Sequence, residues 1–134
     1  MRSIKFRVWD KESRIMCTVS QLAWDGKLYA YYFHSPHLGK VRETLDTAKN
    51  PLLQFTGLHD KNGKEIYEGD IVRWNEEKIL EKDRISEIAW IEKEGCWGTS
   101  QGYWLCNTNW HSHIEVIGNI YENPELMGEN NVIT

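Results

Sequence analysis

The sequence predicts a mostly β protein, α+β overall, with an N-terminal strand-and-short-helix portion followed by a small C-terminal β-barrel-like portion. Three observations carry this. Residues 4–9, IKFRVW, send Ile4, Phe6 and Val8 one way and Lys5 and Arg7 the other, the two-residue period of a half-buried strand. The dipeptides Asp25-Gly26 and Asn62-Gly63 stand between β-like arms, and such pairs favour hairpin turns that need positive φ. Short β-like runs then recur at intervals of about ten residues, the spacing of a small barrel or sandwich.

Taken in order, DKESR at 10–14 is a polar turn and IMCTV at 15–19 returns as a second strand. LAWDGKLYAYYF at 22–33 is a hairpin, with Tyr29, Tyr31 and Phe33 on one face of its returning strand. In KVRETLDTAK the residues Val41, Leu45 and Ala48 fall at helical spacing, so a short helix is expected there. It would end before Asn50-Pro51, because the residue before proline disfavours helix, and it would have to dock on the sheet. LLQFT at 52–56 is a strand; Asn62-Gly63 and Gly69-Asp70 then mark two chain reversals before IVRW. NEEKILEKDR at 75–84 fits either a helical turn or a charged loop. ISEIAWIE, CWGTS, GYWLC and IEVIGNIY are further strands, with a turn at Glu94-Gly95. Asn123 is expected to cap a last helical turn with Pro124 in its first position. The domain division expected is 1–56 for the α+β portion, 57–127 for the barrel-like portion and 128–134 for a frayed tail.

Composition narrows the function. A chain of 134 residues suits one domain, or two small ones sharing a core. The net charge of −4 is unevenly spread. Residues 1–67 hold eleven Lys or Arg against seven acids, and residues 68–134 hold five against thirteen. A whole-molecule electrostatic footprint for nucleic acid is therefore absent. A local basic face through Arg2, Lys5, Arg7, Lys11 and Arg14 is the exception, but solvated strand positions are the simpler account of these residues. Three unevenly spaced cysteines, Cys17, Cys96 and Cys106, argue against a disulfide framework and suit a reducing compartment. With neither a signal peptide nor a membrane-length apolar stretch, the expected location is the cytoplasm.

Chemistry-bearing patterns are weak. Cys96, Cys106, His111 and His113 offer zinc-ligand types, and His111 and His113 would share one face of a strand. Their spacing is not that of a structural zinc site, so buried thiols and loop histidines are the simpler account. His34 and His37 straddle a proline in a loop and carry less weight. No nucleophile elbow, phosphate loop or EF-hand register is present. Asp60, Glu65, Glu68 and Asp70 crowd the central segment, but carboxylates at tight turns usually bind backbone N–H groups. Trp9, Trp74, Trp90, Trp97, Trp104 and Trp110 could stack on bases, yet core packing explains each more simply. No catalytic residue, cofactor or bound metal is expected.

Three segments together resemble the YopX family of phage and prophage proteins: IKFRVWD at 4–10, QFTGLHDKNGKEIYEGDIVRW at 54–74 and EVIGNIYENPELM at 115–127. The resemblance implies a phage- or prophage-encoded protein acting in a bacterial host, with an N-terminal α+β portion and a C-terminal barrel-like portion. It brings no established activity, cofactor or catalytic residue. Gly57, Asn62, Gly63, Gly69, Asp70 and Gly118 serve as turn and bend formers. The expectation is a non-enzymatic accessory protein that binds another protein or itself, with a nucleic-acid-binding β-barrel module as the alternative.

Overall fold

The computed structural model describes residues 3–75, 82–100, 105 and 109–130. Among them are ten β-strands and one short α-helix. The chain divides into two compact units, Met1–Gln54 and Phe55–Thr134.

In the first unit, β1 (Phe6–Asp10), β2 (Ile15–Trp24), β3 (Leu28–Ser35) and β4 (Gly39–Thr44) run antiparallel, each beside its sequence neighbour. β5 (Leu52–His59) runs across the boundary between the units. Its first residues pair with β1 (Val8↔Leu52, Arg7↔Leu53), and its later ones with β6 (Glu65–Tyr67). The resulting sheet has the order β4-β3-β2-β1-β5-β6.

Register decides which face becomes the core. Val8 lies opposite Cys17, Val19 opposite Phe33, Leu22 opposite Tyr31, and Phe33 opposite Val41. Val8, Cys17, Tyr31 and Phe33 are buried together, with Val19, Leu22, Val41 and Leu52 packed against them. The Tyr31 hydroxyl donates to the Asn50 carbonyl, and burial, with the nearby Glu43 carboxylate, pushes its pKa up to about 12. Asp10 fastens one end of the sheet. Its carboxylate accepts from the Glu12 N–H and from the Ser13 and Ser35 hydroxyls. Ser35 Oγ in turn accepts from the N–H groups of His37 and Leu38. Two turns are thus tied to a single buried acid. Burial pushes the Asp10 carboxyl up, but those hydroxyls and N–H groups outweigh it and hold the pKa below the ordinary value.

The helix expected around 41–48 is not there. Residues 39–44 are β4, followed by a single 3-10 turn at Leu45–Thr47. KVRET satisfies both periods, and pairing with β3, closed by Gly39 at φ +77, selects the strand. Leu45 and Ala48 consequently stay exposed. The run 15–19 also extends further than expected, because β2 continues to Trp24 through irregularities at Val19/Gln21 and Ala23/Trp24.

In the second unit, β7 (Asp70–Trp74), β8 (Arg84–Ile91), β9 (Cys96–Thr99) and β10 (Glu115–Asn119) form a sheet of order β10-β7-β8-β9. Its core gathers Ile66, Val72, Trp74, Ile88, Leu105, Ile114 and Val116, with Leu58, Trp97 and Trp110 against them. Among the described residues the strands form two antiparallel sheets and no closed barrel. Regular spacing of short strands suits open and closed sheets alike, so the spacing could not separate them. α1 (Glu125–Asn130) follows Pro124. The Asn123 carbonyl accepts from the Leu126 N–H at the start of this helix, and its side-chain oxygen accepts from the Asn119 N–H. The ambiguous stretch 75–84 and the expected strand 102–106 fall largely on residues 76–81, 101–104 and 106, outside the described residues. Leu105 is described, buried and in a turn.

Candidate functional site

The crowded carboxylates of the central segment are the first place to look for chemistry. Asp60 is buried at the end of β5. Its Oδ1 accepts from the N–H groups of Asn62 and Lys64, at 2.8 and 2.9 Å. Its Oδ2 accepts from Val116 N–H on β10, at 2.8 Å. Burial raises the Asp60 pKa, but the three N–H groups and the Lys64 charge overcome it and hold the carboxyl below its usual value. Asp70 is buried too, and its Oδ2 accepts from Tyr67 N–H at 2.7 Å. Gly63 and Gly69, at φ +83 and +86, complete these two reversals. Glu65 accepts from the Tyr67 hydroxyl. These acids spend their oxygens on holding the chain.

The histidine and cysteine candidates do not gather. His111 and His113 lie in a 3-10 turn, Trp110–His113, rather than in a strand. Two residues apart on such a turn, their side chains diverge. His111 Nδ1 is hydrogen-bonded to the His59 carbonyl at 3.0 Å. Cys96 is half-buried at the start of β9, and Cys106 lies outside the described residues. Among the described residues no group of His, Cys, Asp and Glu could hold a metal ion. His37 faces Glu12 at 3.5 Å, and His34 is exposed on β3.

The basic N-terminal residues are scattered rather than focused. Lys5 and Lys11 are exposed, Arg7 is half-buried, and the Arg14 guanidinium lies 6.0 Å from the Trp9 ring centroid. Arg2 lies outside the described residues. A denser cationic group sits on β4, an edge strand of the sheet. Lys40 and Arg42 alternate with Val41 and Glu43 along β4, so both cations share the face opposite the core. Lys40 Nζ lies 5.3 Å from the Tyr32 ring centroid. Arg42 Nε donates to the Tyr32 hydroxyl at 3.2 Å, and another of its nitrogens to Thr44 Oγ1. Sequence reasoning missed this group, because a helix across 41–48 separates Lys40 from Arg42. The alternation in KVRE was the available signal.

The tryptophans divide into two sets. Trp9 and Trp74 are buried, and Trp74 meets Trp110 edge-to-face at 5.1 Å. Trp97 packs on the second core and meets Trp90 at 5.2 Å, while Trp90 itself is 46% exposed. Trp104 lies outside the described residues. Trp24, on the last position of β2, is 64% exposed. It flanks the Asp25–Lys27 connection, where Asp25 N–H donates to the Lys27 carbonyl. Tyr29, expected beside Tyr31 and Phe33, is 38% exposed at this hairpin tip. Thr44, the last residue of β4, pairs with Ala30 at this end of the sheet, and Leu45, 42% exposed, opens the 3-10 turn that follows. Trp24, Tyr29 and Leu45 make an open apolar end to the first sheet.

Among the described residues no helix is long and apolar enough to cross a membrane. No curated protein matches the sequence. A solved structure, that of protein EF1440 from Enterococcus faecalis, is similar to this chain at 29% identity and a TM-score of 0.64, covering 95% of this chain and 99% of that one. The family model for the YopX protein matches residues 5–128, which takes in all three segments quoted above. With nearly its whole length matched, the chain belongs to the YopX family.

Proposed function

We propose that the protein is a non-enzymatic accessory protein, encoded by a phage or prophage, that works in the bacterial cytoplasm by binding another protein. The carrying observation is the open apolar end formed by Trp24, Tyr29 and Leu45. A Trp left 64% exposed at a hairpin tip contributes little to the core. Trp and Tyr at such positions are the residue types that dominate binding energy in protein interfaces. The use of Asp10, Asp60 and Asp70 as backbone fasteners supports a binding role over a catalytic one. Family membership supports the phage or prophage origin.

The test is affinity purification of the tagged chain from host cells, with every co-purifying protein identified and its complex rebuilt from pure components. Trp24→Ala with Tyr29→Ala should weaken the rebuilt complex at least about thirtyfold, the scale of a hot-spot loss. Its thermal midpoint should move little, since both rings are exposed. A complex unaffected by the double substitution would place the contact elsewhere and defeat the assignment.

A further inference from the structure

We infer that the Lys40–Tyr32–Arg42 face of the first sheet binds single-stranded nucleic acid. This goes beyond the protein-binding reading and uses a different surface, since Trp24 and Tyr29 belong to the hairpin tip.

Tyr32 lies opposite Arg42 on β4 and opposite Gln21 on β2, and His34 lies opposite Lys40. Tyr32, His34, Lys40, Arg42 and Gln21 therefore share one face, and Thr18 lies on it further along β2. No carboxylate stands among these positions. The acid next to them in sequence, Glu43, points to the other face, where it accepts from the N–H groups of Lys49 and Asn50. Residues 1–54 hold nine Lys or Arg against five Asp or Glu, so the unit carrying this face is +4 within a chain of net charge −4.

Charge alone would suit any anion. The aromatic ring narrows the class. Tyr32 is half-buried and oriented by the Arg42 guanidinium at its hydroxyl, with Lys40 above its ring. Lys40 Nζ and the Arg42 guanidinium both lie over the Tyr32 ring, 5.3 and 6.0 Å from its centroid, so an unstacked base would meet cations backed and positioned by the ring. Lys40 and Arg42 recur two residues apart on an exposed edge strand, about 7 Å along the chain. That repeat suits successive phosphates of an extended strand, while Thr18, Gln21 and His34 add polar groups beside it. A duplex would keep its bases stacked away from the ring. An acidic peptide would use the cations but gain nothing from a stacking surface.

The experiment is fluorescence anisotropy of the purified full chain with labelled 15-nucleotide single-stranded DNA and RNA, at 50 and 200 mM salt. Duplex DNA and polyglutamate serve as competitors. Binding is expected to weaken with salt. Lys40→Gln with Arg42→Gln should lower affinity at least about tenfold and flatten the log–log salt slope by about 1.4, the share of two phosphate contacts on a single strand. Tyr32→Leu should weaken oligonucleotide binding severalfold while leaving the salt slope unchanged, with the thermal midpoint of each variant showing that it is folded. No binding at 50 mM salt would overturn the inference. So would double-variant affinity equal to wild type, or competition by duplex or polyglutamate at equal charge; the last result would assign the face to an acidic protein. None of these results bears on the Trp24 and Tyr29 complex, so the two proposals fail separately.

Discussion

The two units reach a stable β structure by different means. In Met1–Gln54, long strands lie beside their sequence neighbours, and four buried side chains on one face make the core. One acid, Asp10, fastens the turns at one end, while the other end is left open and apolar. In Phe55–Thr134, the strands are shorter and the core gathers seven buried residues. Its reversals are stitched to strands distant in sequence: Asp60 reaches Val116, and Lys61 N–H reaches the Ile114 carbonyl. The Ile120 N–H likewise donates to the Gly69 carbonyl. The charge separates the same way, +4 in the first and −8 in the second, where seven Lys or Arg meet fifteen Asp or Glu. Side chains that fold the second unit are spent internally. The first unit leaves Trp24, Tyr29, Lys40 and Arg42 exposed, the groups on which both proposals rest.

The largest expected effect therefore lies at a stitch of the second unit. Asp60→Ala removes the two oxygens that accept from three N–H groups and strands Val116 N–H in a buried place. Hydrogen bonds to a charged acceptor are worth about 1.5–3 kcal/mol each and do not add fully, so the expected loss is about 3–5 kcal/mol. Urea unfolding measures it. The pH dependence sharpens the assignment. The folded pKa of Asp60 is lowered, so its contribution is complete above the ordinary carboxylate value, near about 3.9, and is lost as pH falls through the folded value. Wild type should lose stability in acid by that route, and the variant should show a shallower acid limb. A loss under 1 kcal/mol would mean that the three bonds are replaced by water and that this contrast between the units is false.

The same contrast explains what the sequence made legible. Asn62-Gly63, Gly69-Asp70 and Glu94-Gly95 were readable because local chemistry dictates those reversals: the glycines sit at φ +83, +86 and +63. The role of Asp60 as a turn former was readable as well, but its bond to Val116, fifty-six residues away, was not. In the first unit the short-range signal was ambiguous. Val41, Leu45 and Ala48 do recur at helical spacing, and only pairing with β3 overrides them. Losing β4 hid the Lys40–Tyr32–Arg42 face entirely. Exposure of Trp24 and Tyr29 was hidden for another reason. Alternation reports which face a residue takes, not whether the sheet's end is covered.

A middle-sized effect tests the attachment of the chain's last elements. Gly118 lies in β10 at an irregularity of the pairing with β7. A methyl group placed there would collide with Asn123 Oδ1 and meet Asn123 Cγ at 2.8 Å. The whole Asn123 side chain would have to leave, breaking its bond to Asn119 N–H. Gly118→Ala should cost about 1–3 kcal/mol by overpacking. The matching measurement is amide exchange, which should speed up from Asn119 through Met127 before it does in β8. Unchanged exchange in that segment would show that Asn123 relocates freely and fastens nothing.

The smallest effect probes whether the first unit has an internal fastener comparable to Asp60. Tyr31 is fully buried, and its hydroxyl reaches the Asn50 carbonyl at the start of the return to β5. Tyr31→Phe keeps the ring and its packing while deleting one neutral hydrogen bond, so the expected loss is about 1 kcal/mol. Asn50 is also held through its own N–H by Glu43, and its side-chain oxygen accepts from Lys11 N–H, so the connection keeps two other attachments. That redundancy distinguishes it from Asp60, which alone supplies acceptors to three separate N–H groups. Urea unfolding of the two variants side by side gives the comparison directly. If Tyr31→Phe costs as much as Asp60→Ala, the first unit hangs on a single buried side chain just as the second does, and its exposed end must be counted as surplus to the fold for some reason other than a robust core.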